Sequence, residues 1–165
     1  MPRRLLLAVS ALVAAPQVEA KEAVVRHQGA SNAPILAGVT VRAGADVLYL
    51  SGQVPPIIDQ SASPTSRTAF GDTRTQAEGV FRKIDALLKA QGYSLSDVVK
   101  LTVFLVGDPA KGGAQDFAGF SEAYAQFFGT TAQPNKVARS TVQVAALANP
   151  GFLVEIEATA ARTSQ

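Results

Sequence analysis

A change of hydrophobic period constrains this chain more than any other feature. Between residues 77 and 88 the side chains Ala77, Val80, Phe81, Ile84, Leu87 and Leu88 follow the three-and-four spacing of a single helical stripe. Shortly after, Asp97–Val106 alternates Val99, Leu101, Val103 and Leu105 against Lys100, Thr102 and Phe104, as a strand does. A helix with one apolar stripe must bury it against another layer, and the strand supplies one. The helix is expected over residues 72–91. Asp72 or Thr73 can cap its start, Thr73 and Gln76 stand at capping-box spacing, and Lys89 and Gly92 are C-terminal signals.

The same reading places the remaining elements. Phe117, Phe120, Tyr124, Phe127 and Phe128 recur at helical spacing up to Gly129, a second helix whose aromatic stripe reads as core. Short β-prone runs cover Ala23–His27, Val39–Arg42 and Asp46–Leu50, the last closed by Ser51-Gly52 and then Pro55-Pro56. Two more, Arg139–Leu147 and Phe152–Ala161, flank Ala148-Asn149-Pro150-Gly151, a turn sequence that predicts them to be neighbours. Residues 57–71, rich in Ser, Pro, Thr and Gln, read as an exposed loop with no visible chemistry. With no repeat and no second core behind a linker, residues 21–165 form one domain.

The first twenty residues read as an address. Met1-Pro2-Arg3-Arg4 is basic, Leu5–Ala15 is apolar apart from Ser10, and Val18 and Ala20 are small residues at −3 and −1 of a cleavage point. The apolar run, about eleven residues, is too short for the ~20 of a spanning helix. The expectation is a signal peptide, residues 1–20, with secretion to the periplasm or beyond and no membrane attachment after cleavage. Arg3-Arg4 alone matches a twin-arginine signal poorly, so general secretion is favoured.

Composition narrows the chemistry. The 47% hydrophobic and 17% charged residues exclude a wholly disordered chain. There is no cysteine and only one histidine, so thiol catalysis and disulfides are excluded, and zinc sites built on those ligands have no donor set. A formal net charge of +2, from scattered rather than clustered cations, gives no nucleic-acid footprint. Ser51 lacks a nucleophile-elbow setting and His27 has no partner at readable spacing, so a hydrolase triad is absent.

Candidate chemistry gathers on the last two strands. If they pair, alternation puts Arg139, Thr141, Glu155 and Glu157 on the face away from the helices, among Leu147 and Leu153. A polar, partly apolar sheet face is most simply covered by a second copy of the chain. Solvated cross-strand charge pairs are the alternative.

Four segments carry a resemblance: Tyr49-Leu50-Ser51-Gly52-Gln53-Val54-Pro55, Asp97-Val98-Val99-Lys100-Leu101-Thr102-Val103-Phe104-Leu105, Ala138-Arg139-Ser140-Thr141-Val142-Gln143-Val144-Ala145 and Leu153-Val154-Glu155-Ile156-Glu157-Ala158. In this order, from about Val24 to Ala161, the chain resembles the RidA family of reactive intermediate deaminases, also called YjgF or L-PSP-like. The resemblance implies an α+β fold, a six-stranded mixed sheet with two helices on one face, and a homotrimer with ligand clefts between subunits. It implies hydrolysis of enamine or imine acids such as 2-aminoacrylate to 2-oxo acids and ammonia, with no cofactor and no metal. Arg139 matches the family arginine that binds the substrate carboxylate, a task that suits its planar fork. Glu155 matches the glutamate that activates water, and Glu157 points the same way.

Ser51 and Gly52 match the segment lining the cleft, and Thr141 a position whose backbone contacts the ligand. The chain departs from the best-studied branch at Ile35, where that branch has a pocket tyrosine, and at Ser121, where it has asparagine. Val137 stands where proline is common, and the 57–71 loop is longer. With the signal peptide these departures mark an exported subfamily. The expected partners are a small imino acid or carboxylate and two further copies of the chain, with no nucleic acid. The alternative function is a non-catalytic trimer in the periplasm that binds small carboxylates or protects proteins. Endoribonuclease activity, attached to some relatives, lacks the stacking aromatics and basic clusters that single-stranded RNA needs.

Overall fold

In the computed structural model, residues 22–164 are described; the expected signal peptide lies outside them. Six strands and two helices follow the order β1 (Val24–His27), β2 (Gly38–Val41), β3 (Ala45–Gln53), α1 (Thr73–Ala90), β4 (Val98–Val106), α2 (Phe117–Phe127), β5 (Ala138–Val144) and β6 (Val154–Thr163). The α+β class and the two-helix layer are as expected.

The sheet is not the single six-stranded one expected. Four strands form a mixed sheet in the order β3-β6-β4-β5, parallel between β4 and β5 and antiparallel elsewhere, while β1 and β2 form a separate hairpin. Nor are β5 and β6 neighbours. The connection through residues 145–153 passes β4, and β6 inserts between β3 and β4. Side-chain character explains the order. Val154, Ile156, Ala158 and Ala160 of β6 are buried and need strands on both sides, whereas the polar β5 has no fully buried residue and takes the edge.

The helices cover one face. Val80, Phe81, Ile84 and Leu88 of α1 and Phe120 and Tyr124 of α2 pack on Leu101, Val103 and Leu105 of β4 and on the buried residues of β6. Ala161, by alternation from Ala160, and Val99, at the register shift between Val98 and Lys100, turn to the opposite face, where they join Val24 and Val39 of the hairpin in a small second cluster. The hairpin thus covers one end of the far face instead of extending the sheet.

Helix α1 begins at Asp72, whose carboxylate accepts from Thr75 N–H at 2.8 Å, and ends where Gly92, at φ 73°, lets Tyr93 N–H reach back to Leu88. No capping box forms between Thr73 and Gln76. Gln76 is instead fully buried and ties the helix to the loop before β6, donating to Gly71 and Gly151 carbonyls and accepting from Leu153 N–H at 2.7 Å. The 57–71 loop is anchored too. Arg67 pairs with Asp108, which is only 3% exposed, and Phe70 packs edge-on against Phe152.

Two stability predictions follow from these contacts. Gln76→Leu removes three hydrogen bonds and strands buried backbone groups, so chemical denaturation should show a loss of about 2–4 kcal/mol. Asp72→Ala should cost about 1 kcal/mol at neutral pH. The hydrogen bonds from Thr75 hold the Asp72 carboxyl below its ordinary 3.8, so this stabilisation is complete above that value and vanishes as pH falls through the lowered native one. Denaturation curves of the variant and the parent should converge in acid.

Candidate functional site

Strand register divides the expected site residues between two faces. On β5, Arg139 lies opposite Leu101 and Thr141 opposite Val103, both on the helix-covered face. On β6, Glu155 lies opposite Phe104 and Glu157 opposite Thr102, on the other face. The expectation that Arg139, Thr141, Glu155 and Glu157 gather on one face away from the helices is therefore corrected. Its premise, direct pairing of β5 with β6, fails because β4 lies between them.

Arg139 is the centre of the first group. Its guanidinium carbon lies 4.5 Å from the ring centre of Tyr124, 5.0 Å from that of Phe120 and 5.7 Å from that of Phe117, a cation–π platform worth about 0.5–2 kcal/mol per good contact. Among the described residues no carboxylate pairs with it, and its Nη1 is buried without a hydrogen-bond partner. Burial accordingly lowers its pKa, and burial likewise raises that of Tyr124.

The guanidinium borders a cavity of about 210 Å³ lined also by Pro34, Ser121, Tyr124, Phe128 and Lys136. Ser121 is thus brought to Arg139 as expected, its hydroxyl donating to Phe117 carbonyl at 2.7 Å. Ile35 packs partly buried against the main core, and its neighbour Pro34 lines the cavity in its place. The Thr141 hydroxyl is buried without a partner on the same side of the sheet.

Lys136, Pro34 and the platform rings escape sequence reasoning. The rings do so because the helical stripe that reveals a core cannot reveal that its end also seats a cation.

Ser51, Gly52 and Glu155 make the second group. Leu50 pairs with Ala158 and Gln53 with Ile156, so Ser51 and Gly52 together face Glu157, a β-bulge. Gly52 backs directly onto the half-buried Glu155, and a Cβ there would stand 2.0 Å from Glu155 Oε1. Glycine is required for the carboxylate to occupy this place. Glu157 is exposed and borders a shallow hollow of about 210 Å³ with Tyr49, Lys100 and Thr102. Around these groups the far face carries exposed Tyr49 and Val142, with Tyr49 77% accessible. Among the described residues no cluster of three or more His, Cys, Asp or Glu side chains could hold a metal ion.

One chain therefore presents two separate half-sites. One is a half-buried cation that can take a carboxylate, and the other is a carboxylate held against a glycine bulge, able to accept a proton. β4 screens one from the other.

Comparison with known proteins agrees with this architecture. The Endoribonuclease L-PSP family pattern matches residues 31–162. A RutC family protein of Pyrococcus horikoshii is 39% identical over 120 residues, 73% of this chain and 82% of that protein. TdcF of Escherichia coli K12, named as a candidate reactive intermediate deaminase, is 33% identical over 131 residues, 79% of this chain and 88% of that protein. The crystal structure of E. coli TdcF with bound serine matches at a TM-score of 0.55 and 34% identity, covering 83% of this chain and 94% of that one. A Rid family protein from Yersinia pestis shares the fold, with a TM-score of 0.62 at 23% identity over 84% of this chain and 98% of that one. These matches place the chain in the RidA/YjgF/L-PSP family.

Proposed function

We propose that this protein hydrolyses small 2-imino acids, and the enamines that tautomerise to them, to 2-oxo acids and ammonia in clefts between the subunits of a homotrimer. The observation that carries the reading is the half-buried Arg139 guanidinium, with an unpartnered Nη1 and no carboxylate of its own. A cation in that state gains most from an anionic ligand, and its fork matches a carboxylate in two parallel hydrogen bonds. The likeness to TdcF, named as a candidate reactive intermediate deaminase, supports a deamination of this kind.

The chemistry is short. Arg139 holds the carboxylate and so fixes the adjacent iminium carbon. Glu155 accepts a proton from water as its oxygen adds to that carbon, then returns the proton to nitrogen. As the C–N bond breaks, Glu155 takes the remaining hydroxyl proton and passes it to the departing ammonia, leaving C=O, so one iminium and one water give one 2-oxo acid and one ammonium ion. Because Arg139 and Glu155 lie on opposite faces of one sheet, the cleft takes Arg139 from one subunit and Glu155, with Ser51 and Gly52, from the next. The far face, with Tyr49, Val47 and Val142 exposed, supports its burial against further copies. Ion pairing of Arg74, Arg82 and Lys89 with acidic residues leaves Lys83 as the one unpaired cation of α1 among the described residues, too little for a basic track, which favours a small ligand over RNA. The order of charges and apolar residues in 1–20 supports a periplasmic or secreted setting.

Freshly generated imines test the reading by the release of 2-oxo acid and ammonia. Arg139→Ala should lower kcat/KM about a hundredfold or more, and Glu155→Gln should lower kcat by roughly 10²–10⁴ with KM little changed. Rates no faster than spontaneous hydrolysis in the parent protein would sink the enzyme reading and leave a carboxylate-binding trimer.

Gly52→Ala isolates the positioning of Glu155. The added Cβ displaces the end of a flexible side chain, so the melting temperature should hold while kcat falls at least about tenfold with little change in KM. An unchanged kcat would remove Glu155 from the chemistry.

A further inference from the structure

The Arg139 cavity contains a second cation that the proposed reaction does not use. Lys136 lines the same space of about 210 Å³, and no Asp or Glu lines it. Lys136 Nζ donates to the Ala33 carbonyl at 2.6 Å. That contact fixes the ammonium beside Pro34, at the cavity wall, but takes only one of its three N–H donors and neutralises none of its charge. Among the described residues no carboxylate pairs with Lys136 either. The other walls are Pro34, Ser121, Tyr124, Ala125, Phe128 and Gly129, so the two positive charges border one largely apolar space with no carboxylate to balance them. A monocarboxylate would neutralise one and leave the other.

We infer that the pocket selects dianionic substrates, the imines of dicarboxylic amino acids, with Arg139 taking the α-carboxylate and Lys136 the side-chain carboxylate. Residue type supports this division. The arginine offers a planar fork to the carboxylate that must be aligned for attack, while lysine, a point charge on a flexible stem, suits an anion whose orientation is immaterial to the chemistry. The selectivity then arises as much from rejection as from attraction, since an apolar side chain of equal length would leave Lys136 unpaired beside it. The inference rests on the imine-hydrolase reading for the reaction but not for the ligand class, and the two can be tested separately.

The comparison needs substrates that differ only in the second carboxylate. An amino-acid oxidase acting on glutamate or on norvaline supplies 2-iminoglutarate or 2-iminopentanoate in place. The parent protein should prefer the first by roughly tenfold to a hundredfold in kcat/KM, the value of one charge-assisted hydrogen bond. Lys136→Met should bring that ratio to about one, and Lys136→Arg should retain most of it. Equal kcat/KM for the two imines in the parent protein, or a preference that survives Lys136→Met, would overturn the inference and leave the hydrolase reading standing.

If neither imine is accelerated, the hydrolase reading fails and calorimetry with the 2-oxo acids decides the ligand class. Binding of 2-oxoglutarate at least about tenfold tighter than 2-oxopentanoate, with the margin lost in Lys136→Met, supports the dianionic pocket. Equal affinities overturn it.

Discussion

Phe81 holds this fold together and, at one remove, its chemistry. Its ring, with no exposed surface, lies 5.1 Å from that of Phe127, 5.7 Å from Phe128, 6.1 Å from Phe120 and 6.3 Å from Tyr124. Helix α1 is thereby locked to α2 through aromatic contacts of about 0.5–1.5 kcal/mol each beyond their burial. Phe120 and Tyr124 present their other surfaces to Arg139. The guanidinium is thus seated on the core itself, and its position has the rigidity of packed rings rather than the freedom of a surface side chain. The Tyr124 hydroxyl extends the arrangement by donating to the Pro34 carbonyl at 3.2 Å, tying the segment that borders the cavity to the same helix.

The sheet separates two kinds of chemistry by alternation alone. Along β6, Val154, Ile156, Ala158 and Ala160 serve the core, and the residues between them, Glu155, Glu157 and Thr159, face the other way. One residue of slip would bury two carboxylates beneath the helices, so the register is strongly fixed. Beside β6, the Ser51–Gly52 bulge of β3 is the local irregularity that serves Glu155, leaving room where any Cβ would stand. In the proposed trimer this face would be the one that receives Arg139 from a neighbour.

What was legible in the sequence was local. The periods of 3.6 and 2 located both helices and all six strands to within a few residues, because burial of one face leaves its mark on every turn or every second residue. The pairing order was not legible. The turn residues Asn149-Pro150-Gly151 look like a hairpin, yet strand neighbours are chosen by distant partners, and β6, apolar at alternate positions, gains more between β3 and β4 than beside β5. The error in order carried over into the faces, since the side of the sheet on which Arg139 lies is set by β4 rather than by β6. Gln76 and the Arg67–Asp108 pair were invisible for the same reason. Each joins segments more than 40 residues apart along the chain, at |i−j| of 75, 77 and 41. Strand alternation singles out Arg139 and Glu155 and the resemblance gives each an expected role, but their separation became visible only with the strand register.

That separation makes physical sense of leaving a guanidinium half-buried and unpaired. If Glu155 lay beside Arg139 in the same chain, the two would neutralise each other, and a substrate carboxylate would have to displace an internal salt bridge whose loss leaves charges unpaired at several kcal/mol. With β4 between them, Arg139 stays available at a cost in desolvation that the rings beneath it partly offset. Glu155 has no hydrogen-bonded cation of its own among the described residues. In the proposed trimer, charges that would cancel in one chain are joined only where a ligand lies between them, and attraction between the half-sites of adjacent copies would serve assembly instead of the fold of the monomer.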